Sequence, residues 1–150
     1  MTDRLTLKRT APDSEAYATL YDHPEYGQIA VGRISPRSSL GNLYDTWLWC
    51  IRIRSMPALS HAAEGTARSK DEAMRQWKEK WRAFFEARSE GEWQKAAEAR
   101  DRSAKQLLRY DYLKIKGRLP AGTQKRVETE LAAAGPVPDW LSALIRSKSR

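Results

Sequence analysis

Two adjoining stretches constrain this chain more than any other feature. The first reads Thr46-Trp47-Leu48-Trp49-Cys50-Ile51-Arg52-Ile53-Arg54. Its side chains alternate, so Trp47, Trp49, Ile51 and Ile53 fall on one face of a strand, and Leu48, Cys50, Arg52 and Arg54 on the other. The second begins at Ser69-Lys70-Asp71-Glu72 and continues to residue 88, with Ala73, Trp77, Trp81, Phe84 and Phe85 at helical spacing. Ser69 is an N-cap, and Glu72 three residues on has capping-box spacing. Four of the six tryptophans lie in these two stretches. A Trp-bearing sheet face and a Trp-bearing helix stripe make one dry core between them.

The remaining elements arrange themselves around that pair. Residues 1–13 read as an arm or first edge segment, ended by Thr10-Ala11-Pro12-Asp13. Ala16 to Tyr21 and Gln28 to Ile34 are strand candidates, joined by a Pro- and Gly-punctuated turn over 22–27. Residues 35–42 read as a loop, as does 56–61, and 62–68 as a short further strand. The expected fold class is α+β. A small antiparallel sheet of three or four strands packs on the helix 69–88, and a helical extension follows. The domain reading is a sheet-plus-helix domain over 1–88 and a basic extension over 89–150.

In that extension a break at Ser89-Glu90-Gly91-Glu92 precedes a long helix, Trp93 to Ile115. Trp93, Ala97, Ala104, Leu107, Leu108 and Ile115 are placed on its apolar side. Arg102, Lys105, Arg109 and Lys116 fall on the opposite side at roughly 100° per residue. Asp111 interrupts the apolar side, so either it pairs with Lys114 or the helix bends. Gly117 suits the C′ position. Thr123 is read as the cap of a thin third helix, and Asp139 as the cap of a last one. In the last, Trp140, Leu141, Leu144 and Ile145 cluster after Pro136-Val137-Pro138.

Catalytic signatures are missing from this pattern. The two histidines, His23 and His61, have no metal-ligand spacing around them. Cys50 has no His nearby in sequence, and no Gly-rich phosphate loop is present. The expectation is a protein that is not an enzyme, has no cofactor and no metal, and acts on no small-molecule substrate. A single cysteine, no long apolar run and no secretory signal at the N-terminus lead to a cytoplasmic expectation without a membrane.

Charge carries the functional reading. The net charge is +8. Residues 1–68 hold eight Lys/Arg and seven Asp/Glu, whereas 100–126 hold nine Lys/Arg against two Asp/Glu. A concentrated basic segment is what a polyanion binder needs, because each cation near a phosphate releases a condensed counterion. The leading expectation is non-enzymatic binding of DNA or RNA. Phosphate contacts would come from Arg102, Lys105, Arg109, Lys114, Lys116, Arg118, Lys125 and Arg126. Arg33, Arg52 and Arg54 would supply groove contacts from the sheet. The alternative is an accessory or inhibitory protein-interaction subunit of phage or mobile-element type. It would dock a protein partner through the basic extension and through Trp140, Leu141, Leu144 and Ile145.

The stretch Glu64-Gly65-Thr66-Ala67-Arg68-Ser69-Lys70-Asp71-Glu72-Ala73, coming after strands, resembles the strand-to-helix junction of the arm-type DNA-binding domains of phage integrases. The resemblance covers about residues 16–88. It implies a three-stranded sheet that enters the DNA major groove with one helix behind it. The same stretch is similar, over less of the chain, to the end of a double-stranded-RNA-binding domain. There Ser69, Lys70 and Ala73 match, while Asp71 and Met74 depart from that family's lysines.

Overall fold

The computed structural model describes residues 4–39, 42–56 and 64–150, the side chains of 38–39 and 42–45 excepted. His61 and most of the expected loop 56–61 lie outside the described residues, as does the start of the expected strand 62–68. Five strands form one antiparallel sheet in the order β1-β2-β3-β4-β5. They are β1 (Leu5–Arg9), β2 (Tyr17–His23), β3 (Gly27–Ser39), β4 (Asn42–Ile51) and β5 (Glu64–Ala67). Four helices follow: α1 (Lys70–Glu86), α2 (Glu90–Ile115), α3 (Ala121–Ala132) and α4 (Asp139–Lys148). The fold is α+β as expected, with five strands rather than three or four. The first segment is an edge strand. Residues 35–39 and 42 extend the central hairpin instead of forming a loop, with Pro36 opposite Trp47.

The chain divides into two compact units, Met1–Ala96 and Ala97–Arg150. The division falls inside α2, not before it, because Trp93 is part of the first unit's core. Trp93 is 2% exposed and lies 5.1 Å from Tyr21 between ring centroids. Tyr21, Trp81, Phe85 and Trp93 thus form one aromatic cluster.

In the first unit α1 lies against β3, β4 and β5. Ala73, Trp77, Trp81 and Phe84 are buried, as the helical stripe predicts. Two indole hydrogen bonds lock the helix to β4. Trp77 Nε1 donates to the Cys50 carbonyl (2.9 Å), and Trp49 Nε1 donates to Gln76 Oε1 (2.7 Å). Buried indole N–H groups need such partners, so these bonds fix register as well as contact. Gly65 is required here, since a Cβ at that position would come within 2.6 Å of the Trp49 ring.

At the start of α1 the Ser69 hydroxyl accepts from the Glu72 N–H (3.1 Å). The Glu72 carboxylate binds Arg75 and Gln76. Its hydrogen bonds from Arg75, then Gln76, lower its pKa to about 2. The reciprocal capping box is found instead at α2, where Ser89 and Glu92 exchange bonds in both directions.

The second unit has an aliphatic core. Tyr112, Ile115, Leu119, Val127, Leu131, Leu141 and Ile145 are buried together. Leu107, placed above on the apolar side of α2, is 70% exposed. The buried stripe is Lys105, Leu108, Tyr112 and Ile115, rotated away from Leu107. Asp111 is therefore on the surface, 3.8 Å from Lys114. Gly117 does not adopt the left-handed conformation of a C′ glycine; α2 passes into a single 3₁₀ turn, Lys116–Arg118. Gly135, two residues past the α3 C-cap Ala133, is left-handed, with φ +99°. Prolines 120 and 138, rather than Thr123 and Asp139, occupy the N-cap positions of α3 and α4. No helix among the described residues is long and apolar enough to cross a membrane.

Candidate nucleic-acid interface

Strand parity decides which side chains leave the sheet on the face opposite α1. The register aligns Lys8, Ala18, Arg33, Cys50 and Glu64 in one row across all five strands. The next row, Arg9, Tyr17, Ile34, Trp49 and Gly65, is on the helix side. Ile34 and Trp49 are buried there. The open row is completed by Leu20 and Ala30 below it, and by Ser35, Leu48 and Thr66 above it. Arg37, opposite Thr46, shares this parity. Arg52 follows Cys50 by two residues, between buried Ile51 and Ile53, and its N–H still donates to the Val31 carbonyl (3.0 Å).

The open face thus carries Lys8, Arg33, Arg37 and Arg52, all exposed. Among the described residues none of these four enters an ion pair. Asp22 and Glu64 are the carboxylates of matching parity. Leu48 is 36% exposed on the same face. A twisted antiparallel sheet that buries one side and presents arginines with an aliphatic residue on the other has the chemical range of a groove reader. Guanidinium groups reach phosphates or guanine, and apolar groups meet the thymine methyl. Arg54 is exposed beyond the strand end, where the backbone turns at Ser55 (φ 68°). Lys8 and Arg37 are absent from the residues singled out by sequence. Register was the missing signal, because Lys8 becomes a neighbour of Arg33's row only when β1 is paired.

The helical unit treats its cations differently. Lys105 is 6% exposed, and its Nζ donates to the Ala133 carbonyl (2.5 Å) at the end of α3. This corrects its assignment as a phosphate contact: it caps a helix terminus from within the unit. Lys116 pairs with Glu128 at 2.9 Å, and the Tyr112 hydroxyl donates to the same carboxylate (2.9 Å). Those two hydrogen bonds, Lys116 first, lower the Glu128 pKa. Burial and the Glu128 bond push Tyr112 up to about 12. Arg118 donates to the Lys148 carbonyl (3.1 Å), and Arg126 stacks 4.2 Å from the Trp140 ring centroid. Arg102 and Arg109 remain exposed beside an open groove of about 890 Å³ that also meets Tyr110 and Leu113. Lys125 is exposed on α3.

Of the expected docking residues Trp140, Leu141, Leu144 and Ile145, two are enclosed in the unit's own core. Leu141 and Ile145 are core residues at 0% and 2% exposure, and Trp140 and Leu144 pack partly buried against the same cluster. The apolar side chains that α2 does expose are Leu107, Tyr110 and Leu113, at 70%, 71% and 64%.

His23 has a structural task. Its Nδ1 accepts from the Glu25 and Tyr26 N–H groups across the β2–β3 turn, and its Nε2 is 3.3 Å from Glu90. Among the described residues no group of three His, Cys, Asp or Glu is placed to hold a metal ion. Comparison with known proteins gives no match of any kind, whether to a family model, a curated protein or a solved structure.

Proposed function

We propose that this protein binds nucleic acid through the open face of its sheet, without catalysis. Arg33 and Arg52 are the central contacts, and Lys8 and Arg37 extend them across the face. The carrying observation is the set of four exposed cations on that face, none of them in an ion pair among the described residues. Arg54 adds charge at the margin. In the helical unit Arg102, Arg109 and Lys125 supply supplementary phosphate contacts. Lys114, Lys116, Arg118 and Arg126 contribute less, being drawn into contacts of their own.

Fluorescence anisotropy with labelled duplex DNA, duplex RNA and single strands over a salt series tests this reading. The log of affinity should fall linearly with the log of salt. The four cations of the open face alone correspond to a slope of about −3.6 for a duplex, and the supplementary contacts make it steeper. No binding at low salt to any of the four ligands would remove the proposal.

One observation favours a second reading, in which the helical unit meets a protein. Leu107, Tyr110 and Leu113 form an exposed stripe three residues apart on α2. In this reading the stripe replaces α4 as the docking element. Affinity capture that is lost with Leu107→Lys and Leu113→Lys, at unchanged thermal stability, would support it.

A further inference from the structure

β1 has only one neighbour in the sheet. No described residue pairs with its outer edge. The orientation of that edge follows from one bond. The Thr10 N–H donates to the Ala16 carbonyl (3.0 Å), continuing the register Arg9–Tyr17. Hydrogen-bonded pairs recur every second residue in an antiparallel ladder. Thr6 and Lys8 therefore bond inward to β2, and Leu5, Leu7 and Arg9 turn their backbone N–H and C=O groups outward.

Beside this edge lies an apolar pocket of about 240 Å³. Its walls include Leu5, Leu7 and Thr19 from the sheet and Met74, Trp77 and Lys78 from α1. The pocket lies between β1 and α1, whose main contacts are with β3, β4 and β5. Thr19 is 3% exposed, and its Oγ1 has no hydrogen-bond partner.

Charge defines the entrant. Residues 4–10 contain Arg4, Lys8 and Arg9 and no carboxylate. Lys78 is exposed at the pocket.

We infer that the β1 edge is a docking site for an extended, acidic segment of a partner protein, added to the sheet as a sixth strand. Period-two geometry specifies its pattern. Alternate side chains face α1, so these are apolar and one of them fills the pocket. The others lie on the open face beside Arg4 and Lys8, so these are glutamate or aspartate. The site does not depend on the nucleic-acid reading: the two share Lys8, while the pocket and the outward backbone groups belong to the helix side and the edge.

The test uses the full chain and a fluorescein-labelled peptide of strictly alternating glutamate and valine. A peptide of the same composition, with glutamates and valines in two blocks, is the control. The alternating peptide should bind saturably, at least ~10-fold tighter than the block peptide. Amide shifts in an NMR titration should concentrate on residues 5–9, 19, 74, 77 and 78. Leu7→Pro removes an outward N–H and leaves the β1–β2 ladder bonds in place. It should weaken binding at least ~10-fold. Met74→Trp, which fills the pocket, should do the same, and it serves if Leu7→Pro fails to fold. Equal binding of the two peptides, or shifts lying elsewhere, would overturn the inference and indicate charge attraction alone.

Discussion

The open face of the sheet and the basic segment of the helical unit use their positive charge in opposite ways. On the open face of the sheet, alternation leaves Lys8, Arg33, Arg37 and Arg52 outside any described ion pair. The helical unit holds the most basic segment of the chain, 100–126, yet six of its nine cations are engaged within the unit, Arg100 with Asp101 and Lys114 with Asp111 among them. Lys105 caps α3, Lys116 pairs with Glu128, Arg118 reaches the Lys148 carbonyl and Arg126 stacks on Trp140. Charge density along a sequence therefore misplaces charge available to a ligand. A short helical unit has many exposed carbonyls and carboxylates near its own lysines, whereas one face of a sheet holds only what parity puts there.

Leu141→Ala gives the largest effect expected from this contrast. Leu141 is fully buried, so the change should cost about 2–5 kcal/mol in denaturant unfolding. A cost below about 0.5 kcal/mol would mean that α4 is not core and that docking returns as its role. The double reversal Arg33→Glu with Arg52→Glu comes next. It should weaken nucleic-acid binding about 100-fold, or about 2.7 kcal/mol, with melting temperature little changed. The matching reversal Arg102→Glu with Arg109→Glu should cost about 10-fold. If the ranking is inverted, the helical unit is the principal interface.

Lys105→Ala sharpens the comparison on the stability side. It leaves the Ala133 carbonyl without its donor and should destabilise by about 1–3 kcal/mol. Arg102→Ala, an exposed neighbour, should stay within about 0.5 kcal/mol.

The last effect is in alkali. Burial and the Glu128 bond favour the protonated phenol of Tyr112, whose pKa rises from 10.0 to about 12. A raised folded-state pKa gives stability that is complete below pH 10 and lost as pH rises through 12. The unfolding free energy should fall across that window, and Tyr112→Phe should flatten the decline.

Much of the first unit was legible. Trp49, Ile51, Ile53 and the stripe Ala73-Trp77-Trp81-Phe84 announced their burial by period. The placement of Arg52 away from the core followed from the same alternation, whereas Arg33, two residues after buried Val31, leaves that face only through the irregularity in the β2–β3 register at Thr19/Leu20. Lys8 and Arg37 were hidden because face membership on β1 and the end of β3 depends on pairing partners distant in sequence. Residues 35–39 read as a loop because Pro and Ser mask a strand that the central hairpin imposes.

The second unit was less legible. Its stripe on α2 uses Lys105 and Tyr112 as buried members, and a hydropathy reading prefers Leu107 instead. Only the α3 terminus, which supplies the Ala133 carbonyl, makes a buried lysine there affordable. Trp93 was hidden for a related reason: it follows an apparent break at 89–92 yet belongs to the aromatic cluster before it.

The most direct measurement is an amide chemical-shift map of the full chain titrated with short duplex DNA at low salt, and then with duplex RNA. The account predicts the largest shifts on the open face, at Lys8, Ala18, Leu20, Arg33, Leu48, Cys50 and Arg52, with smaller ones near Arg102 and Arg109. Shifts confined to residues 97–150 would contradict it.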